Sequence, residues 1–441
     1  MNRPIIFFDK ISPWQFFQIV RFGSLLATNI LFTKGLLNTT EIGLYEAILL
    51  IGTASSAFWV TGIMQGLLAV FPRNQKTPAL FNVFLLLFAI SILTSLILLL
   101  CAVPITSLLS ISDTSLFYDI FPWYILFLLF NNVTYLNEYF FMMTNRSISL
   151  LRYGIISYGL QFLMLVAPLL FHFELIQSMQ ALAVLGVLKF VFTLHTIWKH
   201  AIGKIETSYI KLLFHKSWPL ALATMVSGYA YYIDGWMIKH FFDEKTFAAF
   251  IYGAREFPIS LIMAGALSET LANSVRKDGI DFTLTIIKEQ SRRLSFLLFP
   301  ITCILIIVVP ALFPIVFNKD FSGSASIFNI YLLMLIPRLL FPQSILLGLG
   351  KNRIILLSAA IEICINVIAS IILIQLIGWE GAAWGTLIAS ISDKLFLWYY
   401  VTKRLSLPFA SITHLRAWLI GSVMLICFYL TFLLAAPFLF K

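Results

Sequence analysis

Charge is scarce in this chain: of 441 residues, 11% are Asp, Glu, Lys or Arg, while 60% are apolar. Soluble domains carry about 25% charged residues, so no water-soluble fold could hide this much apolar surface. Cysteine is also scarce. The four present, Cys101, Cys303, Cys364 and Cys427, lie in or at the end of apolar segments with no CxxC or metal-type spacing, and read as small core residues. A GxxxxGK[ST] phosphate loop is missing, and Leu-Gly-Leu-Gly at 347–350 lacks the third glycine and the βαβ context of a dinucleotide site. ATP hydrolysis therefore has no motif here. The six histidines include no HExxH, and His195 and His200 stand at the wrong spacing for one helix face. No metal site and no bound cofactor is expected.

What fills the chain instead is a succession of apolar stretches, each near the roughly 20 residues that cross a hydrocarbon core of about 30 Å. Spans fall near 14–37, 43–71, 79–101, 120–143, 153–172, 179–198, 218–242, 246–272, 294–317, 325–350, 354–377 and 382–402, with a further apolar stretch at 417–440. The reading is an all-α membrane protein with twelve transmembrane helices, thirteen if the last stretch crosses. A re-entrant hairpin around Pro437 is the alternative for that stretch. Arg3, Asp9 and Lys10 precede a first stretch of full spanning length, so it reads as retained rather than as a cleaved signal.

The net charge of +10 is spread over short loops, which speaks for topology and against a nucleic-acid partner. With the N-terminus inside, one set of loops carries twenty basic residues, from Arg3 and Lys10 through Arg146, Arg152, Lys199 and Arg276 to Lys403, Arg404 and Arg416. The other set carries five: Lys34, Lys239, Lys245, Lys319 and Lys441. By the positive-inside rule the N-terminus is cytoplasmic. The basic, amphipathic loops 199–217 and 273–293 read as interfacial helices held by anionic membrane lipid.

Spacing also repeats. Arg73 and Arg276 close the second and eighth spans 203 residues apart, Arg152 and Arg353 open the fifth and eleventh 201 apart, and His200 and Lys403 repeat the 203 offset. Six spans separate the halves, so they are expected to be parallel repeats related by an axis along the membrane normal. The organisation that follows is a six-helix bundle at 1–198, a basic cytoplasmic linker at 199–217, a second six-helix bundle at 218–405 and an additional apolar segment at 406–441, with a central cavity between the bundles.

Ionisable groups at mid-bilayer are held there only by a cavity or a partner, since each costs at least about 2.5 kcal/mol to insert. Asp234, Arg255, Arg338 and Glu362 lie deep in their spans; Arg21, Glu46, Glu138, Glu269, Asp393 and Lys394 lie shallower, and Lys239 is expected to extend to the membrane surface. Pro258 follows Arg255 and Glu256, and Pro337 and Pro342 flank Arg338. Backbone groups freed by proline beside a charge are the pattern of broken helices lining transport sites. Asn366 stands one helical turn after Glu362, and Asn131 and Asn132 sit inside the fourth span. Pairing that merely holds helices together is the competing role for each charge.

Three stretches resemble a known family. Phe-Gly-Ser-Leu-Leu-Ala-Thr-Asn (22–29) with Leu-Leu-Asn-Thr-Thr-Glu-Ile-Gly-Leu-Tyr-Glu (36–46) is similar to the opening of Wzx-type O-antigen flippases of polysaccharide biosynthesis. Tyr-Tyr-Ile-Asp-Gly-Trp-Met-Ile (231–238) with Ile-Tyr-Gly-Ala-Arg-Glu-Phe (251–257) resembles that family's seventh and eighth helices. Gly-Trp-Glu-Gly-Ala-Ala-Trp-Gly-Thr (378–386) resembles the turn of its penultimate helix pair. Thr246 departs from the pattern, standing where the second-half turn usually has glycine.

The resemblance implies the two-bundle fold of the multidrug/oligosaccharidyl-lipid/polysaccharide exporter superfamily, in a bacterial inner membrane. It also implies movement of an undecaprenyl-pyrophosphate-linked glycan between leaflets for lipopolysaccharide assembly, by alternating access and without enzymatic chemistry. On that reading Arg255, Arg338 and Arg21 would hold the pyrophosphate, Asp234, Glu256 and Glu362 would couple H+ or Na+ or orient those arginines, and Asn131, Asn132 and Asn366 would line the cavity. A cation-coupled multidrug exporter of the same superfamily is an open alternative, because acids and bases inside the spans nearly balance. A membrane-embedded O-acyltransferase would need a histidine with catalytic neighbours, which His172 and His240 lack. A partner role among other glycan-assembly proteins also stays open.

Overall fold

The structure is a computed structural model that describes residues 13–70, 79–201 and 203–439. Arg3, Lys10, Arg73, Lys76 and Lys441 lie outside the described residues. Helices alone make the regular structure among the described residues, and the chain divides into two compact units, Met1–Met225 and Val226–Lys441.

In the first unit α1 (Pro13–Leu31) runs into a π-helical turn, Phe32–Leu36, where Gly35 takes φ +106°. Glycine adopts that conformation without the Cβ clash that other residues meet, and the chain continues from there into α2 (Thr39–Val70). A capping box starts α2: Glu41 N–H donates to Asn38 Oδ1 at 2.9 Å, and Asn38 N–H donates to Glu41 Oε2 at 2.9 Å. Local turn chemistry therefore accounts for much of the Asn-Thr-Thr-Glu motif. The unit continues with α3 (Ala79–Leu100), α4 (Ala102–Leu108), α5 (Thr114–Met143), α6 (Ser147–Leu170), α7 (Leu175–His200) and the first half of α8 (Thr207–Phe241). Asp113 caps α5, accepting Leu116 N–H at 2.9 Å. Packed against α7, α3 and α2, α5 is the central helix of the unit, and α1 lies on α6.

The second unit holds the rest of α8, then α9 (Glu244–Gly253), α10 (Pro258–Asp278), α11 (Ile280–Val316), α12 (Ser324–Leu332), α13 (Leu335–Arg338), α14 (Pro342–Gly348), α15 (Asn352–Ile377), α16 (Glu380–Leu405), α17 (Phe409–Ile412) and α18 (Leu415–Leu439). Both spans expected to break at proline do so. The chain bends by 52° between α9 and α10 and by 52° before α14, with Pro258 and Pro342 opening the new helices. Proline fits that first-turn position because its missing N–H has no intrahelical partner there.

Among the described residues, nine helices are long and apolar enough to cross a membrane, and the two bent pairs make eleven. Of the thirteen expected segments, those in α8 and α16 are also long enough, at 35 and 26 residues, but are less apolar along their length. Large apolar side chains such as Leu100, Phe171 and Leu376 are exposed, as expected where lipid is the solvent. The chain is a multi-pass membrane protein.

Several expectations change. The stretch at 417–440 is no hairpin: Leu415–Leu439 is one helix of 25 residues packed on α11. The basic segment up to Lys216 is not a separate loop from Thr207 onward but the opening turns of α8, which runs on through Pro219 to Phe241. Of the cysteines only Cys303 is buried; Cys364 and Cys427 are exposed on apolar helices.

α15 and α16 pack closely as a hairpin at the Gly-Ala-Ala-Trp-Gly landmark. A Cβ on Gly385 would meet Ser370 Oγ first, and even with that side chain rotated away it would lie 2.7 Å from Ser370 N and 2.8 Å from Ser370 Cα, backbone atoms that cannot turn aside. Gly385→Val is therefore expected to destabilise the protein by about 3 kcal/mol, read as a lowered unfolding temperature in detergent; an unchanged midpoint would show that the hairpin can part.

Candidate functional site

A cavity of about 330 Å3 lies within the second unit, lined by residues of α8, α10, α12–α16 and the bend before α10. Four of the sequence-derived candidates, Asp234, Glu256, Arg338 and Glu362, line it. Arg338 ends the short helix between two prolines, so its guanidinium points across the bend: Nη2 lies 2.5 Å from Glu256 Oε2, and Nη1 donates to Ser260 Oγ at 3.3 Å. Glu256 thus orients Arg338.

Asp234, 2% exposed, accepts hydrogen bonds at Oδ2 from Tyr331 Oη at 2.7 Å and from Thr386 Oγ1. Asn366 Nδ2 donates to Thr386 Oγ1 at 2.9 Å, which joins it to the same group. Asp234 Oδ1 and Asn366 Oδ1 are buried and receive no hydrogen bond from the described residues. Two buried acceptor oxygens, one of them on a carboxylate, suit a proton or a hard cation. No larger cluster of metal-ligating side chains occurs among the described residues. Lys394 completes the polar wall, donating to Asp393 Oδ2 at 2.9 Å and Gln343 Oε1 at 3.1 Å.

Arg255 is placed differently. It stands in the bend between α9 and α10 with its Cζ 5.1 Å from the centre of the Tyr252 ring, and it is not in the lining of the Arg338 cavity.

The first unit has its own polar interior. Arg21 Nη2 donates to Tyr135 Oη at 3.0 Å, Tyr158 Oη donates to Glu138 Oε1 at 2.9 Å, and Lys189 Nζ donates to Asn131 Oδ1 at 2.5 Å. Asn132 donates to Ser91 Oγ at 3.4 Å, tying α5 to α3. So Asn131 serves a charge, whereas Asn132 serves a helix contact. Tyr158, Tyr331 and Thr386 hydrogen-bond the buried carboxylates of Glu138 and Asp234, and sequence reasoning misses them; their only signal there is a polar residue at the depth of a charge.

The fold is that of transporters with two repeated helical halves. Over 94% of this chain and 92% of the other, it superposes on the solved structure of lipid II flippase MurJ in an inward closed conformation, with TM-score 0.69 at 18% identity. A multidrug resistance MATE family transporter of the MOP superfamily, inward-facing, matches 88% of this chain and 98% of its own with TM-score 0.65 at 13% identity. A crystal structure of a mutant of the Vibrio cholerae MATE transporter VcmN covers 89% of this chain and 96% of its own with TM-score 0.55 at 14% identity. No family model matches the chain, and no curated protein matches it.

Proposed function

We propose that the protein is a transporter that flips an undecaprenyl-pyrophosphate-linked oligosaccharide across the bacterial inner membrane, N-terminus in the cytoplasm, to supply O-antigen or a related surface polysaccharide. The observation that carries this reading is a guanidinium, Arg338, held by Glu256 in a cavity of a membrane-embedded unit whose fold is shared with a lipid II flippase. A guanidinium makes bidentate contacts to phosphate. Arg255 and Arg21 supply further cationic contacts as the chain passes through alternating conformations. Asp234, with Asn366 and Thr386 beside it, is the coupling group for H+ or Na+, and Glu362 adds a second carboxylate to the same cavity. No step breaks or forms a covalent bond, so the protein acts as a transporter and not as an enzyme.

A second reading, export of cationic drugs, is favoured by one feature: three carboxylates, Asp234, Glu256 and Glu362, face two bases, Arg338 and Lys394, in that cavity. Deleting the gene separates the two readings. Loss of surface polysaccharide with lipid-linked oligosaccharide trapped on the cytoplasmic leaflet, restored by the plasmid-borne gene, is the expected result. Unchanged polysaccharide with altered drug susceptibility would transfer the assignment to drug export.

A further inference from the structure

Lys189 is a buried charge that the Arg338 cavity leaves unused. It is 6% exposed, and Glu138 is 3% exposed. With Arg21 they surround one ring: Lys189 Nζ lies 5.6 Å and Arg21 Cζ 5.7 Å from the centre of Tyr158, whose hydroxyl holds Glu138. Arg21 also lies 5.4 Å from the centre of Tyr135.

Among the described residues neither cation forms an ion pair with a carboxylate. Each spends one N–H on a neutral oxygen, Arg21 on Tyr135 and Lys189 on Asn131. Two cations therefore share one carboxylate at arm's length in a low-dielectric interior, where unpaired charge is expensive. A guanidinium fork and a three-donor ammonium flanking one ring match a group with several anionic oxygens.

The depth fits a lipid-borne anion. Lys189 stands eleven residues before the end of α7 at His200, and Tyr158 eleven after the start of α6 at Ser147, roughly 16 Å from those ends at about 1.5 Å per residue. Under the orientation expected from the loop charges, this is the cytoplasmic half, where a lipid-linked glycan is loaded. Beside Lys189 runs an apolar groove of about 400 Å3, lined among others by Tyr153, Ser157, Leu160 and Phe192, with Arg152 in its wall. Ile156 and Leu188 on its rim are 60% and 54% exposed, so the groove opens on the lipid-facing surface.

We propose that Arg21 and Lys189 form an anion-holding centre in the first unit that receives the pyrophosphate of the lipid-linked substrate, with Glu138 as the internal counter-charge the ligand competes against and the α6–α7 groove as the seat of the polyprenyl chain. The proposal rests on the glycan-flipping reading and names the site where loading occurs.

Binding of undecaprenyl pyrophosphate to the purified full-length protein in nanodiscs tests it, with undecaprenol as the uncharged control. Lys189→Gln is expected to weaken pyrophosphate binding about tenfold, the scale of one charge-assisted hydrogen bond, and Lys189→Arg to keep it. Glu138→Gln is expected to tighten it, and undecaprenol binding is expected to stay level throughout. Opposite signs for the two Gln variants are an outcome that a purely structural role does not produce. Unchanged binding in Lys189→Gln, or weakening in Glu138→Gln, would overturn the centre while leaving the flipping assignment standing. If Lys189→Gln fails to fold, the signs for Lys189→Arg and Glu138→Gln decide. Wild-type protein that holds undecaprenyl pyrophosphate no better than undecaprenol would overturn the glycan reading itself, and the centre with it.

Discussion

Lys239→Met is expected to lower stability by about 3–5 kcal/mol, the largest effect of any single substitution considered. Lys239 is fully buried in the last turn of α8, and its Nζ lies 3.0 Å from Oε1 of Glu244, itself 3% exposed. Loss of the ammonium would take a cation away from the side of a buried carboxylate, and the cost of keeping that charge in the interior, rather than the lost attraction, sets the size of the effect. Lys239→Met with Glu244→Met should recover most of the loss, since apolar replacement of a whole buried pair is often neutral. Thermal unfolding of the purified single and double variants in detergent reads both, and equal midpoints for wild type and Lys239→Met would show that the pair contributes nothing.

The pair also corrects the expectation that Lys239 extends to the membrane surface. Asp243 caps α9 by accepting Thr246 N–H at 2.9 Å, and the hydrogen bonds from Thr246 hold its carboxyl below the usual carboxylate range. That tight start brings Glu244 back over Lys239. Thr246, which departs from the family's glycine, fits because its backbone N–H is what the cap requires.

Asp234→Asn is expected to reduce export about 10–100-fold, from losing a charged hydrogen-bonding group worth about 1.5–3 kcal/mol, at unchanged protein level. The amide keeps the shape of the carboxylate and can still accept from Tyr331 and Thr386. What it loses is the charge beside the two unfilled acceptor oxygens, Asp234 Oδ1 and Asn366 Oδ1. An amide N–H turned toward Asn366 would also fill the place of a coupling ion. Wild-type export should therefore rise with Na+ or with acid outside, and export by the variant should ignore both. Full, ion-responsive export by Asp234→Asn would remove Asp234 from coupling.

The proposed loading centre, by contrast, is only partly legible in the sequence. Arg21 stands out because it is alone in an apolar stretch. Lys189 and Glu138 read as two more charges inside spans, since nothing in linear order joins α1, α5, α6 and α7 around Tyr158. Arg255 shows the converse: proline beside charge correctly marks a broken helix, yet the 52° bend leaves Arg255 over Tyr252 and gives the cavity Glu256 instead.

By itself the sequence determined the solvent, the helical class and the positions of most of the helices long and apolar enough to span, because lipid forces each backbone polar group into a helix whose length the bilayer sets. It also marked both breaks, where proline stands beside a charge; proline alone does not break a helix here, since Pro219, Pro300, Pro310 and Pro314 lie inside continuous helices. Only the tertiary structure decided which buried charges meet: Glu256 with Arg338, Lys239 with Glu244, and Arg21 with Lys189 about Tyr158. Partner choice depends on helix rotation and crossing, which many distant apolar contacts fix together and which no local pattern of residues encodes.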